Sequence, residues 1–516
     1  MKMKYTFKML EGEYWWGGST YEGINMPFSA LSTYEADYRI DALNQTMPLF
    51  LSNRGRYIWS EKPFAVKIEN GIFSMEGEDI ELCEAGETLR DAYLAAMRAH
   101  FPFSGKTLPR LFFETAQYNT WMEFTYTPTE EGVLRYAEEI LKNGFAPGIL
   151  IIDEGWQREY GDWRFDPEKF PHPKEMVEKL HAMGFTVMVW VTPFMRPDGE
   201  RFVRNAYYDN ADKNYFARTD DGEVAFVRWW NGASAILDFT KESDREYLDT
   251  QLQALMRDVG VDGFKFDGGT VSCYSKSSAV GAKISSEKDA YEYNLAWNAF
   301  GERYTFHEYK DTFKGGGKAV IQRICDKRHR WTDQGLDCLI PSGIAMGLIG
   351  HPFVCPDMVG GGEWTDADGE NGKIDEELFV RMAQCSALFP MMQFSLAPWR
   401  VLPEENLAYV RAAAELHRNM APTICACISE SEKTGEPTLR PMCYQYPGCG
   451  YETIKDQFLI GADIMVAPVV SPGTRERVVV FPEGKWEALD GTVYSGGKSE
   501  TVPAPLETLL YYKRIG

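Results

Sequence analysis

The sequence is poor in the residues that hold metals and covalent staples. Its ten cysteines are scattered over 516 residues, without the spacing of a small disulfide framework. Cys425-Ala426-Cys427 is not a C-x-x-C pair, and the seven histidines form no H-E-x-x-H pattern. No metal or other cofactor is therefore expected. Positive charge is also short: 54 Lys and Arg stand against 76 Asp and Glu, a net charge of −22. That excludes a nucleic-acid partner, whose binding is driven by cationic contacts to phosphate, and argues equally against an anionic membrane surface. No run approaches the roughly 18 apolar residues needed to cross a bilayer. No apolar targeting segment follows the start, Met1-Lys2-Met3-Lys4-Tyr5-Thr6-Phe7-Lys8. The expected protein has no membrane partner and resides in the cytoplasm. Internal repeats and low-complexity segments are missing too, and a homo-oligomer is compatible with the sequence.

What is abundant is apolar and aromatic: 44% hydrophobic residues, with 14 Trp, 27 Tyr and 30 Phe. That supports a large core and more than one domain. The first hundred residues carry short β-rich pieces broken by Gly, Pro and Asn, such as Pro48 to Ser52, Arg56 to Trp59 and Phe64 to Ile68. Their spacing predicts an N-terminal β-sandwich over 1–107. Tyr14-Trp15-Trp16-Gly17-Gly18 fits either its core or a loop over a substrate mouth.

From Leu108 the rhythm becomes strand then helix. Expected strands are Arg110 to Glu114, Gly148 to Asp153, Thr186 to Val191, Gly263 to Asp267, Ala319 to Arg323, Pro352 to Cys355, Met391 to Phe394 and Thr438 to Pro441. Expected helices between them include Thr129 to Asn143, Pro173 to Met183 and Lys241 to Val259. Eight such units predict an α/β (β/α)8 TIM barrel over 108–456. A doubly wound open sheet is the alternative, disfavoured because no G-x-G-x-x-G follows the first strand. After Gln457 the chain returns to β character, predicting a small C-terminal β domain over 457–516.

Active sites of such barrels lie at the C-terminal ends of the strands, and carboxylates and tryptophans collect there. The run Gly263-Phe264-Lys265-Phe266-Asp267-Gly268-Gly269 ends at a carboxylate, with Lys265 on the same face because strand side chains alternate. The second strand ends in Asp153-Glu154-Gly155-Trp156, the third carries Trp190, and the fifth ends in Arg323, with Asp333 in the loop after it. The sixth leads to Asp357. Paired carboxylates with tryptophans and an arginine suit carbohydrate chemistry. Glycosidic cleavage needs a nucleophile and a proton donor, sugar hydroxyls need charged hydrogen-bonding groups, and the ring face needs an aromatic wall. Gly315-Gly316-Gly317 precedes a strand rather than a helix, unlike a phosphate loop.

The sequence resembles glycoside hydrolase family 31, retaining enzymes acting on α-linked sugars. The resemblance runs through Pro48 to Gly55, Trp163-Arg164-Phe165-Asp166-Pro167, Lys265-Phe266-Asp267, Pro356-Asp357-Met358-Val359-Gly360-Gly361 and Gly461 to Pro468. Leu339-Ile340-Pro341, Phe353 to Gly361 and Gln393 to Trp399 look most like the branch containing the myogenesis-regulating glycosidase and bacterial α-galactosidases. The resemblance implies Asp267 as nucleophile and Asp333 as acid/base. It further implies Asp153 on the 4- and 6-hydroxyls, Arg323 near the acid/base, and Trp190 and Trp229 lining the subsite. Two departures stand out. Trp331-Thr332-Asp333 is one residue shorter than the family's Trp-Gly-Gly-Asp, so Asp326 and Asp337 stay open as alternative acid/bases. Pro356 replaces a histidine. A distal C-terminal β domain of the family is expected to be missing. Asp153-Glu154-Gly155-Trp156 also resembles the Asp-Asp-Gly-Trp of other α-galactosidase families, where the acidic pair reads an axial 4-hydroxyl.

The expected function is an exo-acting, retaining α-galactosidase, acting on a small-molecule or oligosaccharide substrate. Other α-glycosidase activity is the first alternative, above all on α-glucosides, and a non-catalytic sugar-binding protein on the same barrel is the second.

Overall fold

Eight short parallel strands, each three to six residues long in the main, enclose the centre of the molecule. The computed structural model describes residues 3–208, 213–275, 284–366, 369 and 372–516. In chain order the strands are Gln117–Asn119, Ile149–Ile152, Thr186–Val191, Gly263–Phe266, Phe306–Tyr309, Ile321–Arg323, a seventh in two pieces, and Gln393–Phe394. Of the seventh, Val354–Cys355 pairs with the sixth strand and Met358–Val359 with the eighth. The eighth pairs with the first. One strand thus joins both ends of the sheet, and the barrel closes.

The barrel expected from the sequence is present, but two of its strands are not those expected. Arg110 to Glu114 contains a short helix, Leu111–Glu114. Its Phe112 and Phe113 pack with Ile149, Ile151, Met188, Ile321 and Phe353 as an apolar plug inside the barrel. A short apolar run is the same signal for a strand and a buried helical turn. Thr438 to Pro441 is extended, but Leu439–Pro441 pairs antiparallel with Phe458–Ile460 in the C-terminal sheet. Their places are taken by Gln117–Asn119 and Phe306–Tyr309, which are too polar to read as apolar strands. Ala319 to Arg323 is accordingly the sixth strand.

Helices cover the outside. Glu130–Lys142 begins where the Thr129 side chain accepts from the Gly132 amide, and buries Val133, Tyr136, Ala137 and Ile140. Those positions, i, i+3, i+4 and i+7, form one helical face turned to the barrel. Glu404–Thr434 ends at Gly435, whose φ of 79° suits a residue without a Cβ.

Residues 3–84 form two sheets. Met3–Lys8, Ile72–Gly77, Ala65–Glu69 and Tyr34–Asp37 make one; Trp15–Ser19, Gln45–Ser52, Arg56–Trp59 and Glu81–Glu84 make the other. Trp15, Phe28, Phe50 and Phe73 pack between them. Trp15 is therefore sandwich core, and Trp16, on the opposite face of the same strand, is buried too, so neither belongs to a loop over the barrel. The second sheet also takes in Thr312–Phe313, the segment just after the fifth barrel strand, paired with Gln45–Thr46. At the other end of the chain a sheet runs from Leu439–Pro441 through Tyr511–Arg514 to Val493–Ser495, with a two-stranded antiparallel sheet of Glu476–Phe481 and Lys498–Pro503 as a second piece. No helix among the described residues is long and apolar enough to cross a membrane.

The C-terminal sheets are tied to the barrel by Arg381. It is fully buried on helix Glu376–Ala387, and donates to the carbonyls of Ala504 at 2.9 Å and of Thr474 and Thr508 at 3.3 Å. Arg381→Met keeps the volume but leaves those carbonyls unpaired. A loss of roughly 2–4 kcal/mol is expected, read in a thermal scan as a first unfolding transition several degrees lower, with the barrel's far-UV signal retained below it.

Candidate active site

The strand register places the polar side chains. The third, fourth and fifth strands pair so that Trp190, Lys265 and Glu308 stand side by side. All three point inward, and two residues further on the alternation brings Asp267 and Lys310 to the same face one layer nearer the mouth. Gly268 then turns the chain at φ 66°; a Cβ there would lie 2.5 Å from the Phe194 ring.

A cavity of about 190 Å³ opens above this layer. It is lined by Asp153, Glu154, Trp190, Lys265, Asp267, Lys310, Arg323 and Asp326, with Trp121, Tyr126, Trp230, Glu363 and Trp364 toward solvent. A larger groove, about 890 Å³, lies between helix Glu404–Thr434 and the C-terminal sheet, away from the strand ends.

Asp267 is 8% exposed. Its Oδ2 accepts from Trp190 Nε1 at 3.0 Å and its Oδ1 from the Gly268 amide at 2.8 Å. Burial pushes its carboxyl up, but the charges of Lys310 and Lys265 and the indole N–H outweigh that and leave it below its ordinary value. Asp153 accepts from Lys265 Nζ at 2.5 Å and from Asn119 Nδ2 at 2.7 Å, both through Oδ2. Glu154 accepts from Tyr160 at 2.7 Å, Asn231 at 2.5 Å and Trp230 Nε1 at 3.2 Å. Burial dominates here and pushes Glu154 up to about 7, with Asp153 and Asp267 adding to the rise. Arg323 pairs with Asp357, with Asp326 at 3.0 Å and, more distantly, with Glu308 at 3.5 Å. Lys310 hydrogen bonds Asp326. Burial raises Asp326, yet Lys310 and Arg323 hold it far below the usual carboxylate range.

Six of the residues singled out in the sequence meet in the cavity: Asp153, Glu154, Trp190, Lys265, Asp267 and Arg323. Four do not line it. Asp333 has a side chain 64% exposed and paired with Arg328 and Arg330, at a loop position with φ 58°. Trp156 is buried, donating to the Trp190 carbonyl at 2.8 Å and so supporting that strand from behind. Asp357 is buried behind Arg323 and accepts from the Lys327 amide at 2.7 Å. Trp229 packs on Phe194 and Tyr160, with ring centroids 4.3 and 4.7 Å away. Its neighbour Trp230 lines the cavity instead. Asp326, an alternative to Asp333 in the sequence, is on the cavity wall. Lys310 had no sequence signal because its strand was not recognised. Trp121 opens the one-turn helix Trp121–Phe124, Tyr126 lies in the turn after it, and Trp364 opens the 3-10 turn Trp364–Asp366; elements this short carry no periodicity.

Among the described residues no group of three or more His, Cys, Asp or Glu is arranged to hold a metal ion. Two acids with oppositely shifted affinities for protons, an arginine, two lysines and an aromatic rim in a small cavity can bind a neutral polyol ring and exchange protons with it.

Residues 107–426 match the family model for the glycosyl hydrolases family 31 TIM-barrel domain, and residues 435–516 that for the family's C-terminal domain. The chain is 32% identical over 387 residues to the myogenesis-regulating glycosidase of Mus musculus, covering 73% of this chain and 52% of that one. It is 27% identical over 416 residues to alpha-glucosidase 2 of Bacillus thermoamyloliquefaciens, covering 75% and 51%. The chain spans about half the length of these curated relatives. A family 31 dextranase of Flavobacterium johnsoniae, solved with glucose, superposes with a TM-score of 0.82 at 21% identity, over 99% of this chain and 66% of that one. That likeness is one of fold.

Glu154 links the site to stability. An unfolded glutamate releases its proton near 4.5, whereas the folded site holds it to about 7. Between those values the folded state binds more protons, so this group makes stability fall as pH rises. Glu154→Gln is expected to flatten that part of the melting temperature against pH; an unchanged slope would show that Glu154 does not titrate there.

Proposed function

The chain belongs to glycosyl hydrolase family 31, and from that premise we propose that it is a retaining α-glycosidase that removes one terminal α-galactose at a time. The observation that carries the reading is Asp267: an ionised carboxylate at the end of the fourth barrel strand, in a cavity large enough for one sugar ring. At about 190 Å³ the cavity is smaller than ordinary ligand pockets of roughly 300–1,000 Å³, which favours an exo mode.

Asp267 attacks the anomeric carbon while a second carboxyl protonates the leaving oxygen, giving a glycosyl ester. Water then attacks the same carbon with that carboxyl as base. Asp326 takes the acid/base role in place of Asp333, because it is the carboxylate on the cavity wall beside Arg323 and Lys310. A retaining pair is spaced about 5–5.5 Å.

Galactose is favoured by Asp153 and Glu154, adjacent carboxylates on one wall. An axial 4-hydroxyl rises out of the ring plane and needs an acceptor beyond the one that receives the 6-hydroxyl. Glu154, held by three donors, supplies it. α-Glucoside is the second reading, favoured by the likeness to alpha-glucosidase 2.

Three variants test the roles. Asp267→Ala is expected to abolish turnover of an aryl α-galactoside; activity that survives would sink the assignment of the nucleophile. Asp326→Ala should lower kcat/KM by about 100- to 10,000-fold, most on poor leaving groups, whereas Asp333→Asn should stay close to wild type. The reverse order would return the acid/base to Asp333. Turnover of aryl α-galactoside, α-glucoside and α-xyloside decides the sugar, and a preference for the glucoside would overturn the reading of Glu154. NMR of the first-formed anomer must show retention.

A further inference from the structure

Three cations line the cavity, and two are already committed. Lys265 is held by Asp153 at 2.5 Å, and Arg323 is locked by the buried Asp357. The third, Lys310, is bonded to Asp326 and acts electrostatically on Asp267. Lys265 also acts on both Asp267 and Asp326, but Lys310 is the leading cation at each of them and the one that is hydrogen-bonded to Asp326 while doing so.

Its place is fixed by more than side-chain contact. The register of the fourth and fifth strands sets Lys265 beside Glu308, so the next inward pair is Asp267 and Lys310. The Lys310 carbonyl accepts from Gln45 Nε2 at 2.9 Å and from Asn44 Nδ2 at 3.2 Å. The main chain is anchored, while the four-carbon stem and rotatable ammonium leave the charge free to turn.

We propose that Lys310 is a positioning residue that transfers its ion pair between Asp267 and Asp326 as the reaction proceeds. This rests on the double displacement proposed above. In the first step the Asp267 oxygen forms a bond to the anomeric carbon as the bond to the leaving oxygen breaks. That electron pair goes to the leaving oxygen, which takes the proton of Asp326. Asp267 becomes a neutral ester and Asp326 an anion. In the second step the water oxygen bonds to the anomeric carbon and its proton goes to Asp326. The ester bond breaks, and its electron pair returns to Asp267. The two carboxyls together carry one negative charge before, between and after the two steps. Only its location changes, and an ammonium that is bonded to one carboxyl and acts on the other has an anionic partner at each stage.

The other charges facing these groups remain in place. Lys265 acts on both Asp267 and Asp326 from the fourth strand and Arg323 on Asp326 from the sixth, Asp311 and Glu154 face Asp267, and Asp357 faces Asp326. Lys265 spends its hydrogen bond on Asp153, and Arg323 its own on Asp357 and Asp326. In the empty cavity the ammonium favours the ionised form of both Asp267 and Asp326. Asp326 must therefore take up a proton before it can act as acid, which sets the basic limb of kcat/KM at low pH.

The test compares wild type, Lys310→Met, Lys310→Gln and Lys310→Arg on an aryl α-galactoside across pH, with melting temperatures measured alongside. Removing the cation raises the pKa of both carboxyls. In Lys310→Met both limbs of the kcat/KM profile should move upward by about one unit or more, the usual effect of an opposite charge at this range, and deglycosylation seen in burst kinetics should slow. Lys310→Arg should keep both limbs near wild type. Should Lys310→Met fail to fold, Lys310→Gln carries the same prediction. Limbs that stay at wild-type positions in a folded, charge-free variant overturn the proposal and leave Lys310 a structural ion pair. Labelling of Asp267 by a fluorinated galactosyl fluoride separates the two readings. Label on Asp267 with unmoved limbs removes only the role of Lys310, whereas no label, with activity surviving Asp267→Ala, removes the double displacement itself.

Discussion

A charge withdrawn from water must be met by another charge, and that requirement organises the inside of this barrel. Asp153 on the second strand meets Lys265 on the fourth; Arg323 on the sixth meets Asp357 in the seventh; Lys310 after the fifth meets Asp326 after the sixth. Each pair crosses between segments distant in sequence. Removing one member of such a pair strands the other at a cost of roughly 3–5 kcal/mol, so closing the barrel and assembling the site are one event. Asp267 stands apart. Its hydrogen bonds come from an indole and a backbone amide, and the nearby cations act on it without a direct bond among those described. It is an anion stabilised but not capped.

Two carboxyls in the same cavity are driven in opposite directions. Burial dominates at Glu154 and raises it; at Asp267 burial is opposed successfully by Lys310 and Lys265. The difference is one of position. Glu154 lies on the wall away from the cations, among Tyr160, Trp230 and Asn231, while Asp267 sits between two cation-bearing positions. Neighbouring carboxyls in one cavity thus hold their protons to different pH, set by what each one touches.

The second and third strands were legible because they are nearly continuous apolar runs, and the fourth because two phenylalanines lead to Asp267 and a pair of glycines; Asp153, Trp190 and Asp267 came with them. The fifth was hidden by its own function. Phe306-His307-Glu308-Tyr309 carries an inward charge where a strand normally shows an apolar side chain, so no pattern announced it, and Lys310 went unseen. Asp333 was drawn in by a tryptophan at nearly the right spacing, whereas the loop geometry turns it outward to Arg328 and Arg330. Sequence spacing gives distance along the chain and not the direction in which a loop leaves a strand. Trp229 and Trp230 differ by one residue, and only the hairpin's twist decides which of them faces the cavity.

Gln45 belongs to the N-terminal sandwich, yet its side-chain amide donates to the carbonyls of both Lys310 and Arg323, at 2.9 and 2.8 Å. Thr312–Phe313 adds itself as a strand to the sandwich immediately afterwards. The sandwich therefore grips the ends of two adjacent barrel strands at the positions where their side chains enter the cavity. The boundary between the two lobes is not a seam along which the molecule could be cut or recombined. A chimera exchanging barrels between relatives would have to carry the matching glutamine-bearing strand with it, and the two lobes are bound to evolve as one inheritance.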